Sequence, residues 1–214
     1  ALQRGATTVM AITTYAELQS SIASWLNRSD LTSVIPDFIS LAETNMERSI
    51  RHWRQEKRAT ATIDTQYSAL PADYLEGIRF NLDGDHRLIE MITSADMQRR
   101  RYANADTSGS PRYFSVTGGQ LEVFPTPDGS YTGELYYYST IDALSDSNTS
   151  NWVLQHYPDA YLYGALVHSA PYLVDDARTQ TWAALFSVAV NAINSESEKA
   201  KFSGSGLRLK INSY

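Results

Sequence analysis

The sequence predicts an α+β fold, a helical bundle from N- and C-terminal helices with an inserted antiparallel β-module. Near both ends of the chain, apolar residues recur every three or four positions, as on one face of a helix. Between residues 58 and 145, apolar and polar residues alternate instead, which is typical of strands. With 214 residues, 43% of them hydrophobic, the chain is long enough to bury a sizeable core.

The same changes of period predict the domain organisation. Residues 10–202 are predicted to form one domain, in which 58–145 are the inserted β-rich module. Residues 1–9 lack an apolar period and are interpreted as an upstream leader or as residues added for expression. Residues 203–214 begin with a Ser-Gly-Ser-Gly run and are predicted to be a flexible C-terminal tail.

Two amphipathic helices are predicted before the module. Thr14 and Glu17 have capping-box spacing at the start of a helix over 14–28. Pro36 is compatible with the first turn of a second helix, over 36–55. The predicted apolar stripes are Tyr15, Leu18, Ile22, Trp25 and Leu26 in the first helix, and Phe38, Leu41, Ala42, Met46, Ile50 and Trp53 in the second.

The module is predicted to contain several short strands and one helix. Alternation from Ala59 to Ile63 predicts a strand, and Gly118-Gly119 predicts a hairpin turn. Ser94 is expected to cap a short helix that carries Arg99-Arg100-Arg101, interpreted as solvated or ion-paired surface residues. In the Tyr136-Tyr137-Tyr138 strand, only the first and third side chains share a face.

Two further helices are predicted after the module, over 158–172 and 176–199. Pro158 can begin the first and Pro171 is expected to end it, while Asp175 or Asp176 caps the second. The predicted stripes are Tyr161, Leu162, Ala165 and Leu166, and then Trp182, Leu185, Phe186, Ala189, Val190 and Ile193. All four helices should pack as one bundle that buries Trp25, Phe38, Trp182 and Phe186, with the module projecting from it.

Composition and motifs exclude several function classes. The chain has no Cys, so disulfides and thiolate metal sites are excluded. A formal net charge of −6 argues against tight DNA binding, and no apolar run is long enough to span a membrane. The histidines and acidic residues show no metal-ligand spacing, and no hydrolase or nucleotide motif occurs. We therefore predict no catalytic, cofactor-binding or metal-binding residues.

Five segments, in their order and spacing, form a joint pattern. They are Ile12–Leu18, Ile35–Ile39, Leu70–Leu75, Gln120–Pro127 and Tyr157–Leu166. Together they resemble the head-to-tail adaptor, or connector, proteins of short-tailed phages, and are similar to the tail tubular protein A family. The resemblance covers nearly all of residues 10–201.

The resemblance implies a structural function and particular partners. Such adaptors form a ring of twelve copies between the portal protein and the tail nozzle protein, and DNA passes through without specific binding. It implies no enzymatic activity, no cofactor and no membrane partner. It places the protein in the virion at the head-tail junction, after synthesis in the host bacterial cytoplasm.

The C-terminal tail is predicted to bind a partner. Leu207, Leu209 and Ile211 alternate with Arg208 and Lys210, so an extended segment would carry apolar side chains on one face and cations on the other. We expect this segment to add as a strand to a neighbouring subunit or to the portal. Docking on its own domain is the alternative.

Two other function classes remain open at this stage. The aromatic-rich module and its carboxylates are compatible with a tail-associated carbohydrate-binding or cell-wall-degrading protein. An unrelated cytoplasmic interaction domain is the third possibility.

Overall fold

A computed structural model describes residues 12–83, 89–104, 107–173 and 178–202. Among them the chain divides into two compact units. A helical unit comprises the residues up to Arg54 and those from Ile141 onward, and a β unit comprises Gln55–Thr140. Of the described elements, all but one of the helices lie in the helical unit and the strands, mostly antiparallel, lie in the β unit, which confirms the predicted α+β class.

Five α-helices are described in the helical unit and one in the β unit. In chain order they are α1 (Tyr15–Leu26), α2 (Ile35–Ser49), α3 (Ser94–Ala103, in the β unit), α4 (Trp152–His156), α5 (Pro158–Leu173) and α6 (Thr179–Phe202). The sequence did not predict α4. Asn151 caps it by accepting a hydrogen bond from the backbone N–H of Leu154.

The helical unit has one hydrophobic core, to which all five of its helices contribute. Leu18, Met46, Leu154 and Tyr161 are among its fully buried side chains. At the start of α1 both hydrogen bonds of the predicted capping box are present. The predicted bundle is therefore confirmed.

Four residues of the predicted stripes are not buried. Phe38, Trp182 and Phe186 are in the core as expected, but Trp25 is 46% exposed. The other exposed stripe residues are Leu41, Trp53 and Leu185. Periodicity assigned Trp25, Leu41 and Leu185 to the apolar side of their helices, but the neighbouring elements cover only part of that side. Trp53 lies beyond the end of α2.

Two helix ends differ from prediction for identifiable reasons. The second helix stops at Ser49 instead of residue 55, because Asn194 of α6 replaces the continuing helical bonds. Its amide donates to the carbonyl of Ser49, and its side-chain oxygen accepts from the N–H of Arg51. Pro171 lies inside α5, which continues to Leu173; the missing N–H falls in the last turn, where it removes a single helical bond.

Seven strands of the β unit are described, in two sheets. They are β1 (Glu56–Ile63), β2 (Tyr67–Ala69), β3 (Tyr74–Leu82), β4 (Glu90–Met91), β5 (Tyr113–Thr117), β6 (Gln120–Phe124) and β7 (Tyr131–Ser139). One sheet has the order β1-β7-β3 and the other β2-β6-β5-β4; all pairs are antiparallel except β4 with β5.

The hairpin and the tyrosine strand agree with prediction. Gly118 and Gly119 connect β5 to β6 with φ of 60° and 76°, a conformation that favours glycine at both positions. Tyr137 of β7 is buried, whereas Tyr136 and Tyr138 lie on the opposite, partly exposed face.

Two predictions for α3 were wrong. Thr93, rather than Ser94, caps this helix, because its hydroxyl accepts from the N–H of Asp96. Arg101 is a buried residue and not a surface one: its guanidinium donates to Glu122 at 3.0 Å and to the carbonyl of Val123 at 2.6 Å. The partner in β6 is distant in sequence, so helical spacing gave no sign of it.

Candidate functional site

The exposed face of α6 carries no charge over most of its length. Between Thr179 and Ser195 the helix contains no Asp, Glu, Lys or Arg; the first charged side chain is that of Glu196. This uncharged segment is about 25 Å long at the usual helical rise. The inner side of α6 packs in the core through Trp182, Phe186 and others. This packing requires apolar residues on the inner side only and does not explain the lack of charge on the exposed side.

Apolar side chains project from the centre of that exposed face. Val188 is 65% exposed and Leu185 38% exposed, and Ala184 and Ala192 lie one turn to either side of Val188. Small residues allow another backbone to approach closely. We call the surface formed by Ala184, Leu185, Val188 and Ala192 the α6 face.

A second apolar exposure lies at one end of the bundle. Trp25 is at the end of α1 and packs edge-on against Tyr163, and Tyr172 packs edge-on against Phe38 while remaining 55% exposed. Next to α6, the guanidinium of Arg178 lies 4.8 Å from the centre of the Trp182 ring. Aromatic residues and arginine are enriched in protein interfaces.

A polar network inside the helical unit fixes the position of the bundle helices. Glu43 of α2 accepts hydrogen bonds from the Tyr161 hydroxyl at 3.0 Å and from the Leu144 N–H at 2.8 Å. Asn151 donates to the Tyr161 oxygen at 2.6 Å. Burial raises the pKa of Glu43, with only neutral donors to oppose it, and burial together with the nearby carboxylate raises the pKa of Tyr161.

The β unit contains an apolar groove of about 330 Å³. One wall is the C-terminal part of β1, with Ala59, Ala61 and Ile63, and the other is the segment from Ser68 to Pro71. We call this the β1 groove. Among the described residues, β1 pairs with β7 alone, so its other edge can accept a further strand.

Within the described ranges, no three His, Asp or Glu side chains are close enough to hold a metal ion. The ring of Tyr136, one of the aromatic residues of the module, has the guanidinium of Arg79 3.9 Å from its centre, so one ring face is covered. No described helix is long and apolar enough to cross a membrane.

The residues predicted to bind a partner, Leu207, Arg208, Leu209, Lys210 and Ile211, lie outside the described residues. So do Asp175 and Asp176, the predicted caps of the last helix. The tail interface therefore stays a prediction. Sequence reasoning missed the α6 face, although its signal is visible as seventeen successive residues without a charge.

One comparison with known proteins identifies the class. The family model described as SU10 adaptor protein matches residues 13–208, which is most of the chain. No curated protein matches it. The family match supports the predicted phage head-tail adaptor, but not the narrower likeness to tail tubular protein A. The chain belongs to the SU10 adaptor protein family.

Proposed function

We propose that this protein is the head-to-tail adaptor of a phage or prophage. It forms a ring between portal and tail nozzle, through which DNA passes without specific binding. The role is structural, and contacts between copies and with the neighbouring virion proteins supply the binding energy. Family membership supports the adaptor class, and the ring, its partners and its place in the virion are our inference.

The α6 face is the observation that carries the proposal of self-association. A helix surface without charge loses little hydration energy when another protein covers it, whereas burying an unpaired charge is costly. Val188 and Leu185 supply apolar area, which gains about 25 cal/mol for each Å² removed from water. A ring requires this face to meet a different surface of the next copy, since a self-complementary contact would close as a dimer.

The first test is to place a charge on the α6 face. Val188→Glu introduces a carboxylate that a neighbouring copy would have to bury unpaired, and we expect at least about tenfold weaker self-association. Val188 is 65% exposed, so the fold of the single copy should be unaffected. Association is measured by sedimentation of the full chain, and rings are counted by electron microscopy after mixing with the portal protein of the same phage.

Thr44→Glu is the matched control. It places the same charge on the exposed side of α2, outside the α6 face, and should assemble like the unmodified protein. If Val188→Glu assembles as well as this control, the α6 face is not the contact between copies. If the unmodified protein forms no ring with the portal, the proposed function is wrong.

A further inference from the structure

The β1 groove combines two features of a strand-binding site. Among the described residues no strand pairs with its outer backbone edge, and its lining is mostly apolar. The two halves of this edge differ in how strongly they discourage pairing with another strand. Glu56, Lys57 and Arg58 place charges at one end, whereas the five residues from Ala59 to Ile63 have none. Charges on an edge strand discourage pairing with another chain, so the uncharged half is the part suited to it.

Small side chains leave room in this half of the groove. Ala59 and Ala61 point to the same side of β1 as the buried Ile63, toward the unit's core. Gly133, which pairs with Ala61 on the neighbouring strand, also lines the groove, but Ile63 and Phe80 fill the space in front of it. An incoming strand could therefore place large apolar side chains beside the alanines, where β1 itself supplies few atoms.

The chain contains a segment that fits this description. Residues 207–211 are five in number, like 59–63, and carry apolar side chains at the first, third and fifth positions. Their cations, Arg208 and Lys210, would face the other side of the sheet. On that side Glu134, paired opposite Thr60, already binds Arg58 at 3.0 Å, so charge does not select the tail. Length and alternation are the two properties that agree.

We propose that residues 207–211 of one copy add as a strand to β1 of a neighbouring copy, with Leu207, Leu209 and Ile211 in the β1 groove. Backbone hydrogen bonds to the free edge give affinity, and the three apolar side chains fix the register. This inference rests on the proposed ring, because self-association is what brings a neighbouring groove within reach of the tail. In that arrangement each copy both donates a tail and accepts one.

The absence of Cys from the chain allows a clean cross-linking test. One preparation of the full chain carries Ala61→Cys and a second, longer by an affinity tag, carries Leu209→Cys. The two are mixed, oxidised and separated without reductant. We expect a mixed disulfide between the two preparations, since paired strands bring Cβ atoms to within about 5 Å.

Alternation provides the matched controls. Cysteines at 207 and 211 should link to position 61 more weakly than one at 209, because they are its diagonal neighbours at about 7–8 Å, and cysteines at 208 and 210 should not link, because they face away. Thr62→Cys, on the opposite side of β1, should reverse this preference. An excess of a peptide of residues 203–214 should abolish the mixed disulfide, and a peptide of the same composition without alternation should leave it unchanged.

Three outcomes would overturn the inference. No mixed disulfide, or equal linking at 207 through 211, means that the tail does not add to β1 in register. Linking only within one molecule, in a chain carrying both Ala61→Cys and Leu209→Cys, means that the tail docks on its own copy. Sedimentation of the same samples separates the two proposals: normal assembly without cross-linking refutes the groove and leaves the ring intact.

Discussion

Each unit of this protein has a carboxylate in its interior, and the two are stabilised in opposite ways. Glu122 of the β unit is 1% exposed and lies against the guanidinium of Arg101, with Gln66 and Ser115 as further donors. Glu43 of the helical unit has a hydroxyl and a backbone N–H as donors, as described above, and no cation among its described hydrogen-bond partners.

The difference shows what a buried acid needs in each setting. A fully desolvated carboxylate requires a compensating charge, because moving an ion out of water costs several kcal/mol. A partly buried one can rely on neutral donors, at the cost of a raised pKa. The β unit therefore depends on an ion pair, and the helical unit on a hydrogen-bond network. The following substitutions separate these two cases.

Removing the cation of the β unit should have the largest effect. Arg101→Met leaves Glu122 buried without its positive partner, and we expect the free energy of unfolding to fall by about 3–5 kcal/mol. The double variant Arg101→Met with Glu122→Leu removes both charges and should be clearly more stable than the single one. Urea unfolding followed by circular dichroism gives both values. Equal stabilities for the single and double variants would contradict the comparison.

Removing a neutral donor from the helical unit should cost less. Tyr161→Phe deletes the hydroxyl that donates to Glu43 and accepts from Asn151, and we expect a loss of roughly 1–3 kcal/mol by the same measurement. Tyr163→Phe, two positions along α5, is the control. Its hydroxyl makes no hydrogen bond to any described residue, so the change should stay within about 0.5 kcal/mol. Similar losses for the two variants would show that the network is not stabilising.

The smallest effect concerns the charge of Glu43 itself. Its pKa in the folded protein is raised above the ordinary 4.5, so the folded state binds the proton more tightly than the unfolded state does. Stability contributed by protonated Glu43 is thus present below pH 4.5 and lost as the pH rises through the folded pKa. Glu43→Gln keeps an acceptor oxygen and cannot ionise.

The stability of Glu43→Gln relative to the unmodified protein should therefore increase between pH 4 and pH 7. Urea unfolding at several pH values across that interval measures the difference. A difference that stays constant, or that shrinks toward pH 7, would show that Glu43 is not destabilised by burial of its charge.

Sequence reasoning succeeded where structure is decided locally. The capping box at Thr14 and the hairpin at Gly118-Gly119 depend on residues within a few positions of each other, and both were predicted. The end of α2 was not, because Asn194 of α6 determines it from the far end of the chain. The burial of Arg101 depends in the same way on Glu122 of another element.

In the candidate site, too, features decided by local sequence were predicted and features decided by distant residues were not. The period of α6 predicted its buried side well, but not which side chains the neighbouring helices leave uncovered, so Leu185 was assigned to the core. Gly133 gives no local signal either. A Cβ there would lie 2.6 Å from Ile63 and 2.8 Å from Phe80, so the requirement for glycine arises from residues on two other strands. Open edges such as that of β1 become visible only once strand order is known.

The pairing of β1 with β7 also affects how the helical unit can fold. The β unit interrupts that unit between Arg54 and Ile141, yet its own two ends lie side by side. Glu56 pairs with Tyr138, and the Gln55 side chain donates to the carbonyl of Ser139 at 3.2 Å. Loop-closure entropy grows with the length of free chain between contacts, at about 0.6 kcal/mol for each doubling. Once these strands have paired, α2 and the chain beyond Ile141 are connected as if by a short loop, so the inserted unit adds little to the entropy that the bundle must lose.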